Sequence, residues 1–162
     1  MNTILESCSL PGRAAVRGLV EDLLGRPVEL SDGDPVTAHP GNVVGVYVND
    51  SLGLAAAIVV DLAGAARLGG ALGMLPPGGV DDAIEDNALS GMLQDNCHEV
   101  LNVLAVTLNV AGAPHVRLYE MYGPDDSVPA DVAALTARTG ERLDVVLSIA
   151  GYGDARVSVV VR

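Results

Sequence analysis

Asp95-Asn96-Cys97-His98-Glu99-Val100-Leu101-Asn102 reads as the middle of a helix with two unlike sides. At about 100° per residue, Asp95, Glu99 and Asn102 fall within roughly 60° of one another, while Leu93, Cys97, Val100, Leu104 and Leu108 gather opposite. One side buries; the other presents two carboxylates and an amide.

Working outward, apolar spacing extends this helix through Leu89 and back to Asp82, where Asp82-Ala83-Ile84-Glu85 resembles a capping box, with an interruption near Asn87. Gly112 and Pro114 are the expected stop, which makes this the dominant element of the chain. Before it, Leu62 to Met74 carries Ala and Leu at helical spacing and closes on Pro76-Pro77-Gly78-Gly79. Val43 to Val48 and Leu54 to Val60 are β-branched-rich runs around Asn49-Asp50-Ser51-Leu52-Gly53, an antiparallel hairpin whose second strand, lacking polar alternation, is central.

At the amino end, Pro11 and the spacing of Ala14, Ala15, Leu19, Leu23 and Leu24 predict a helix stopped by Gly25. A short strand over Pro27 to Leu30 precedes turn residues Ser31-Asp32-Gly33-Asp34-Pro35. After the long helix, Val116, Leu118 and Met121 alternate as in a half-buried strand, and Gly123-Pro124-Asp125-Asp126 turns the chain. A helix or loop over Ala130 to Thr139 leads to a second hairpin, Leu143 to Ala150 and Ala155 to Val161. This order predicts an α+β, two-layer fold over residues 1–162 as one domain: an antiparallel sheet with two long helices packed on one face.

The core of such a fold is aliphatic here, because the chain has neither Phe nor Trp while 49% of it is hydrophobic. Nine Lys plus Arg against 21 Asp plus Glu give a formal charge of -12, which repels the phosphates that dominate nucleic-acid affinity and argues against anionic membranes. Cys8 and Cys97 are too few for a disulfide framework, and Cys97 falls on the buried side as a small core residue. The first ten residues contain Glu6 and no positively charged leader region, and no apolar run reaches the ~18 residues that span a bilayer. A cytoplasmic location is expected.

The exposed stripe invites a metal reading, since His98-Glu99-Val100-Leu101-Asn102 is one residue away from the His-Glu-two-residues-His pattern of zinc hydrolases. The fifth position is Asn, a poor replacement for imidazole, and neither His39 nor His115 has a spacing that restores the set. No metal ligand is assigned. Ser90, Ser127 and Ser148 lack a nucleophile-elbow context, and Gly69-Gly70 has no Lys to complete a phosphate loop. The stripe has a carboxylate and an amide to work with, and an amide can orient a water in line with a labile acyl phosphate. Asn102 fits that task, and Glu99 fits gripping a Lys or Arg of a partner.

Asp95, three residues, Glu99, two residues, Asn102 resembles the Asp-or-Ser, Glu, Asn helix signature of the CheC/CheX/FliY chemotaxis phosphatases. The resemblance takes in the preceding hairpin, the helix at 62–74 and the acidic lead at Asp81 to Asp86, roughly residues 40–125. A single copy of the signature is similar to the CheX branch: the opening helix has Glu21, but Leu24 stands where a second copy would need Asn. The resemblance implies a homodimeric phosphatase that binds a phosphorylated CheY-like response regulator and hydrolyses its aspartyl phosphate. Glu99 and Asn102 would be catalytic, pairing with a lysine of the regulator and orienting the attacking water, and Asp95 would be a supporting partner contact. No intrinsic cofactor is implied; magnesium would sit on the phosphorylated partner. A second expectation is a catalytically inactive dimerisation or docking module akin to flagellar-switch scaffolds, resting on the bulky Val103, Leu104 and Val106 that follow Asn102.

Overall fold

The described part of the chain, residues 8–162 of a computed structural model, enters through α1 (Arg13–Leu24), which buries Val16, Val20 and Leu24 at four-residue intervals. Gly25 ends it in the left-handed region at φ 67°, where a side chain would be strained. The stretch containing Glu6, with the leader reading made on it, lies outside the described residues. β1 (Val28–Asp32) runs two residues further than its turn-rich sequence suggests, because Ser31 and Asp32 pair with Val146 and Val145 of a later strand.

β2 (Val43–Asn49) and β3 (Leu54–Val60) form the expected hairpin, with the Asn49 carboxamide oxygen accepting from the Ser51 and Gly53 amides across the turn. Asp61 starts α2 (Leu62–Leu72): its carboxylate accepts from the Gly64 amide at 2.9 Å and from Arg156 N–H at 3.1 Å, so one side chain both caps the helix and ties it to the sheet.

The long helix expected from Asp82 is two helices. α3 (Pro77–Glu85) begins at the tolerated proline position, leaving Asp82 in its interior rather than at a cap, and Asn87 turns left-handed at φ 51° to break the run. Ser90 is the true cap of α4 (Gly91–Leu108), accepting from the Leu93 amide at 3.2 Å. α4 stops at Leu108, short of Gly112, because the Asn109 side chain turns the chain: its Nδ2 donates to Ala105 O and Val116 O while its Oδ1 accepts from Val116 N–H. β4 (Val116–Tyr122), α5 (Ala130–Thr136), β5 (Arg142–Ile149) and β6 (Gly153–Val161) complete the chain.

All pairings are antiparallel, in the order β1-β5-β6-β3-β2-β4, which puts β6 and β3 at the centre. The fold is α+β, with α1, α2 and α4 on one face over Val43, Tyr47, Ile58, Val60, Val157 and Val159. The opposite face is covered as well: Val44, Val46, Val59 and Val160 pack under Val36 of the β1–β2 connection and Val132 and Leu135 of α5. Strands with no polar alternation need apolar cover on both sides, and β2 is buried from Val43 through Val48. Among the described residues, no helix is long and apolar enough to cross a membrane.

Candidate functional site

The sheet holds α4 close because β2 carries a glycine beneath it. A Cβ on Gly45 would stand 3.2 Å from Leu101 Cδ1, so the missing side chain lets Leu101 settle onto the strand. Two residues on, the buried Tyr47 hydroxyl donates to the Leu101 carbonyl at 2.5 Å. From the side, Asn96 Nδ2 donates to Gly69 O of α2 at 2.9 Å, and a Cβ on Gly69 would lie 2.7 Å from Leu93 O. α2 and α4 therefore touch backbone to backbone, and the helix bearing the stripe is gripped from below and beside.

On this seat the two faces fall as the helical period requires. Leu93, Cys97, Val100, Leu104 and Leu108 are buried, and Asp95, Glu99 and Asn102 are exposed. Among the described residues, none of the three polar side chains takes a hydrogen-bond or ion-pair partner, which leaves their donors and acceptors to an incoming molecule. Their Cβ atoms, at four- and three-residue spacing, are ~5–6 Å apart in succession along one ridge.

Cys97 faces the core, where burial pushes its thiol up to about 12 and keeps it protonated and unreactive. His98 is exposed, and His115 lies 3.7 Å from Asp50 at an exposed pair. Among the described residues, no three His, Cys, Asp or Glu side chains gather as a metal-holding group. The clefts beside Asn49 and Val116, Leu54 and Arg138, Leu75 and Leu93, and Pro40 and Pro124 are lined by other residues, so the stripe stands outside them. Glu21 accepts from Arg17 and from the Val28 amide at 3.0 Å, and Leu24 is buried, so α1 carries no second copy of the ridge.

The supporting residues Gly45, Tyr47, Gly69 and Asn96 were not singled out in sequence as parts of the site. Gly45 within a valine run was the available signal, since a strand-interior glycine marks close approach of another element.

Solved structures share this fold. FliM in its complex with SpeE from H. pylori superposes with a TM-score of 0.58 at 12% identity, over 90% of this chain and 79% of that one. FliY of Thermotoga maritima gives 0.53 at 14% identity, covering 91% and 82%. CheX from Borrelia burgdorferi, in a complex with CheY, BeF3 and magnesium, gives 0.51 at 15% identity, covering 92% and 94%. The chain has the CheX fold. In sequence alone, no family model and no curated protein matches it. Within this CheX fold, the helix that carries Asp95, Glu99 and Asn102 is the one seated on Gly45 and Tyr47.

Proposed function

We propose that this CheX-fold chain is a protein phosphatase that hydrolyses the aspartyl phosphate of a CheY-like response regulator. The observation that carries the reading is the unpartnered ridge of Asp95, Glu99 and Asn102 on a helix hydrogen-bonded to β2 beneath it and to α2 beside it. The likeness to a CheX that binds CheY supports it.

In this mechanism α4 enters the regulator's phosphorylation cleft. Glu99 pairs with a regulator lysine, a charge-assisted contact that fixes the register of the helix. Asn102, one turn on, accepts from and donates to a water and aims it in line with the phosphorus, so the phosphoryl group passes to water and the regulator's aspartate is released as the carboxylate. Asp95 makes a supporting contact. The regulator's own residues would hold magnesium, which would supply charge neutralisation for the phosphoryl group. The catalytic gain comes from positioning, which is why the rigid seat of α4 matters.

The test is the decay of a purified, phosphorylated CheY-like receiver with native protein, Glu99→Ala and Asn102→Ala. Faster decay with the native chain and loss of that acceleration with Asn102→Ala are expected; equal, slow decay with both sinks the proposal.

A second reading is a docking module without catalysis, favoured by the likeness to FliM and by the bulky, exposed Val106 after Asn102. Tight receiver binding with no acceleration would select it.

A further inference from the structure

The polar ridge does not end in charge. Met92 is three residues before Asp95 and Val106 is four residues after Asn102, which places both on the same helical line, and they are 57% and 63% exposed. Five positions, Met92, Asp95, Glu99, Asn102 and Val106, thus make one continuous outward stripe with an apolar residue at each end. Exposing a large apolar side chain at both ends of an otherwise polar line gains nothing for the fold, because the core side of α4 is already filled by Leu93, Cys97, Val100 and Leu104.

Resting on the phosphatase reading above, we infer that Met92 and Val106 are the specificity anchors of α4: apolar contacts that seat the whole helix in a cleft of a protein partner, to either side of the polar centre. Four arguments select that occupant. The stripe spans fifteen residues, about 21 Å of helix from first to last, longer than a small-molecule site and fitted to a protein groove that takes one helix at three- and four-residue spacing. A nucleic acid would meet Asp95 and Glu99 at its centre, in a chain of net charge -12. A second copy of this chain laid stripe to stripe would bring those same carboxylates against each other. A receiver surface with a cation between two apolar patches complements all five positions.

The division of labour follows. Contacts made equally before and during phosphoryl transfer lower KM and leave kcat alone, whereas a group that acts on the attacking water moves kcat. Met92 and Val106 belong to the first kind and Asn102 to the second.

The experiment measures kcat and KM on a purified CheY-like receiver phosphorylated with phosphoramidate, and the dissociation constant for the same receiver held active by BeF3 and magnesium. Met92→Ser, Val106→Ser and, as an off-stripe exposed control, Leu52→Ser are compared with the native protein. The expected result is a KM and dissociation constant about tenfold higher for each anchor variant, kcat within about twofold of native, and no change for Leu52→Ser. Native acceleration with unchanged KM in both anchor variants overturns the inference and leaves the phosphatase reading standing. Native binding without acceleration overturns the phosphatase reading, and the dissociation constants of the variants then decide the anchors alone, tenfold weakening supporting them and no change refuting them. A native chain that neither binds nor dephosphorylates any receiver encoded alongside it overturns both.

Discussion

The hydroxyl of Tyr47, buried on β2, donates to the carbonyl of Leu101 at 2.5 Å, one residue before the exposed Asn102. A hydrogen bond from the sheet to the backbone of α4 sets the depth of the helix at the point where its ridge carries the amide. Tyr47→Phe keeps the ring and removes the bond. A loss of about 0.5–1.5 kcal/mol is expected in urea unfolding, at the low end because Leu101 lies within the α4 hydrogen-bond ladder. Tyr47→Ala, which also empties the ring's site, should lose about 3–5 kcal/mol.

Gly69 and Gly18 offer opposite outcomes for the same substitution. A Cβ on Gly69 would sit 2.7 Å from Leu93 O, so Gly69→Ala forces α2 from α4 and should destabilise by about 1–3 kcal/mol. Nothing lies within 4 Å of a Cβ on Gly18 inside α1, so Gly18→Ala should stabilise by about 0.5–1 kcal/mol through helix propensity. A thermal midpoint that rises for Gly69→Ala would mean that the α2–α4 contact is looser than described, and one that falls for Gly18→Ala would count against the open space beside α1.

Two buried acids make the fold sensitive to alkali. Burial pushes the Cys97 thiol from 9.0 up to about 12, and burial, then the neighbouring Cys97, holds the Tyr47 phenol well above 10.0. Both are neutral when protonated, so the folded chain keeps protons that the unfolded chain releases. Their contribution to stability is complete below the unfolded thiol value of 9.0 and falls as pH rises toward about 12. Urea midpoints measured between about pH 8 and 11 should decline, less steeply in Cys97→Ala. A thiol reagent at pH 8 should reach Cys97 only on unfolding.

On the other face of the sheet, Arg142 and Asp144 pair at 3.0 Å with side chains only 7% and 16% exposed. Asp144 also accepts from the Ser158 hydroxyl at 2.6 Å, which in turn accepts from the Val36 amide at 2.8 Å. Arg142 donates to the Thr136 carbonyl at 2.8 Å, tying α5 to the sheet. Asp144→Ala would leave Arg142 half-paired and Ser158 without its acceptor, and a loss of about 3–5 kcal/mol is expected in equilibrium unfolding.

Along α4, stability and activity should separate. Leu104, 2% exposed, should lose about 2–5 kcal/mol as Leu104→Ala, whereas Asn102→Ala should be neutral or slightly stabilising because Ala is the better helix former. The receiver-decay assay should show the reverse order of damage at matched folded concentration. Equal destabilisation by both would contradict the assignment of faces.

The elements that were legible in sequence are those written in short-range patterns. The Gly25 stop of α1, the Asn49 to Gly53 turn and the three-and-four spacing of Asp95, Glu99 and Asn102 each depend on residues within a turn or two of one another, whereas the face of α1 differs from its reading: Leu24 is buried with Val16 and Val20, and Ala14 and Ala15 are exposed. The break between α3 and α4 was half visible at Asn87; the capping-box pattern at Asp82 competed with the true cap at Ser90, and the tertiary insertion of Val80 against Gly70 fixes α3 where it lies. α5 was marked by little more than its alanines, since its helical face is defined by the sheet face it covers.

By itself, then, the sequence determined that α4 has one buried side and one polar ridge, because a helix's period is a property of its own backbone. How that ridge is held was decided only in three dimensions. Gly45 and Tyr47 reach Leu101 from more than fifty residues away, and Gly69 meets Asn96 across twenty-seven, contacts that no local pattern encodes because they exist only once strand and helix have packed.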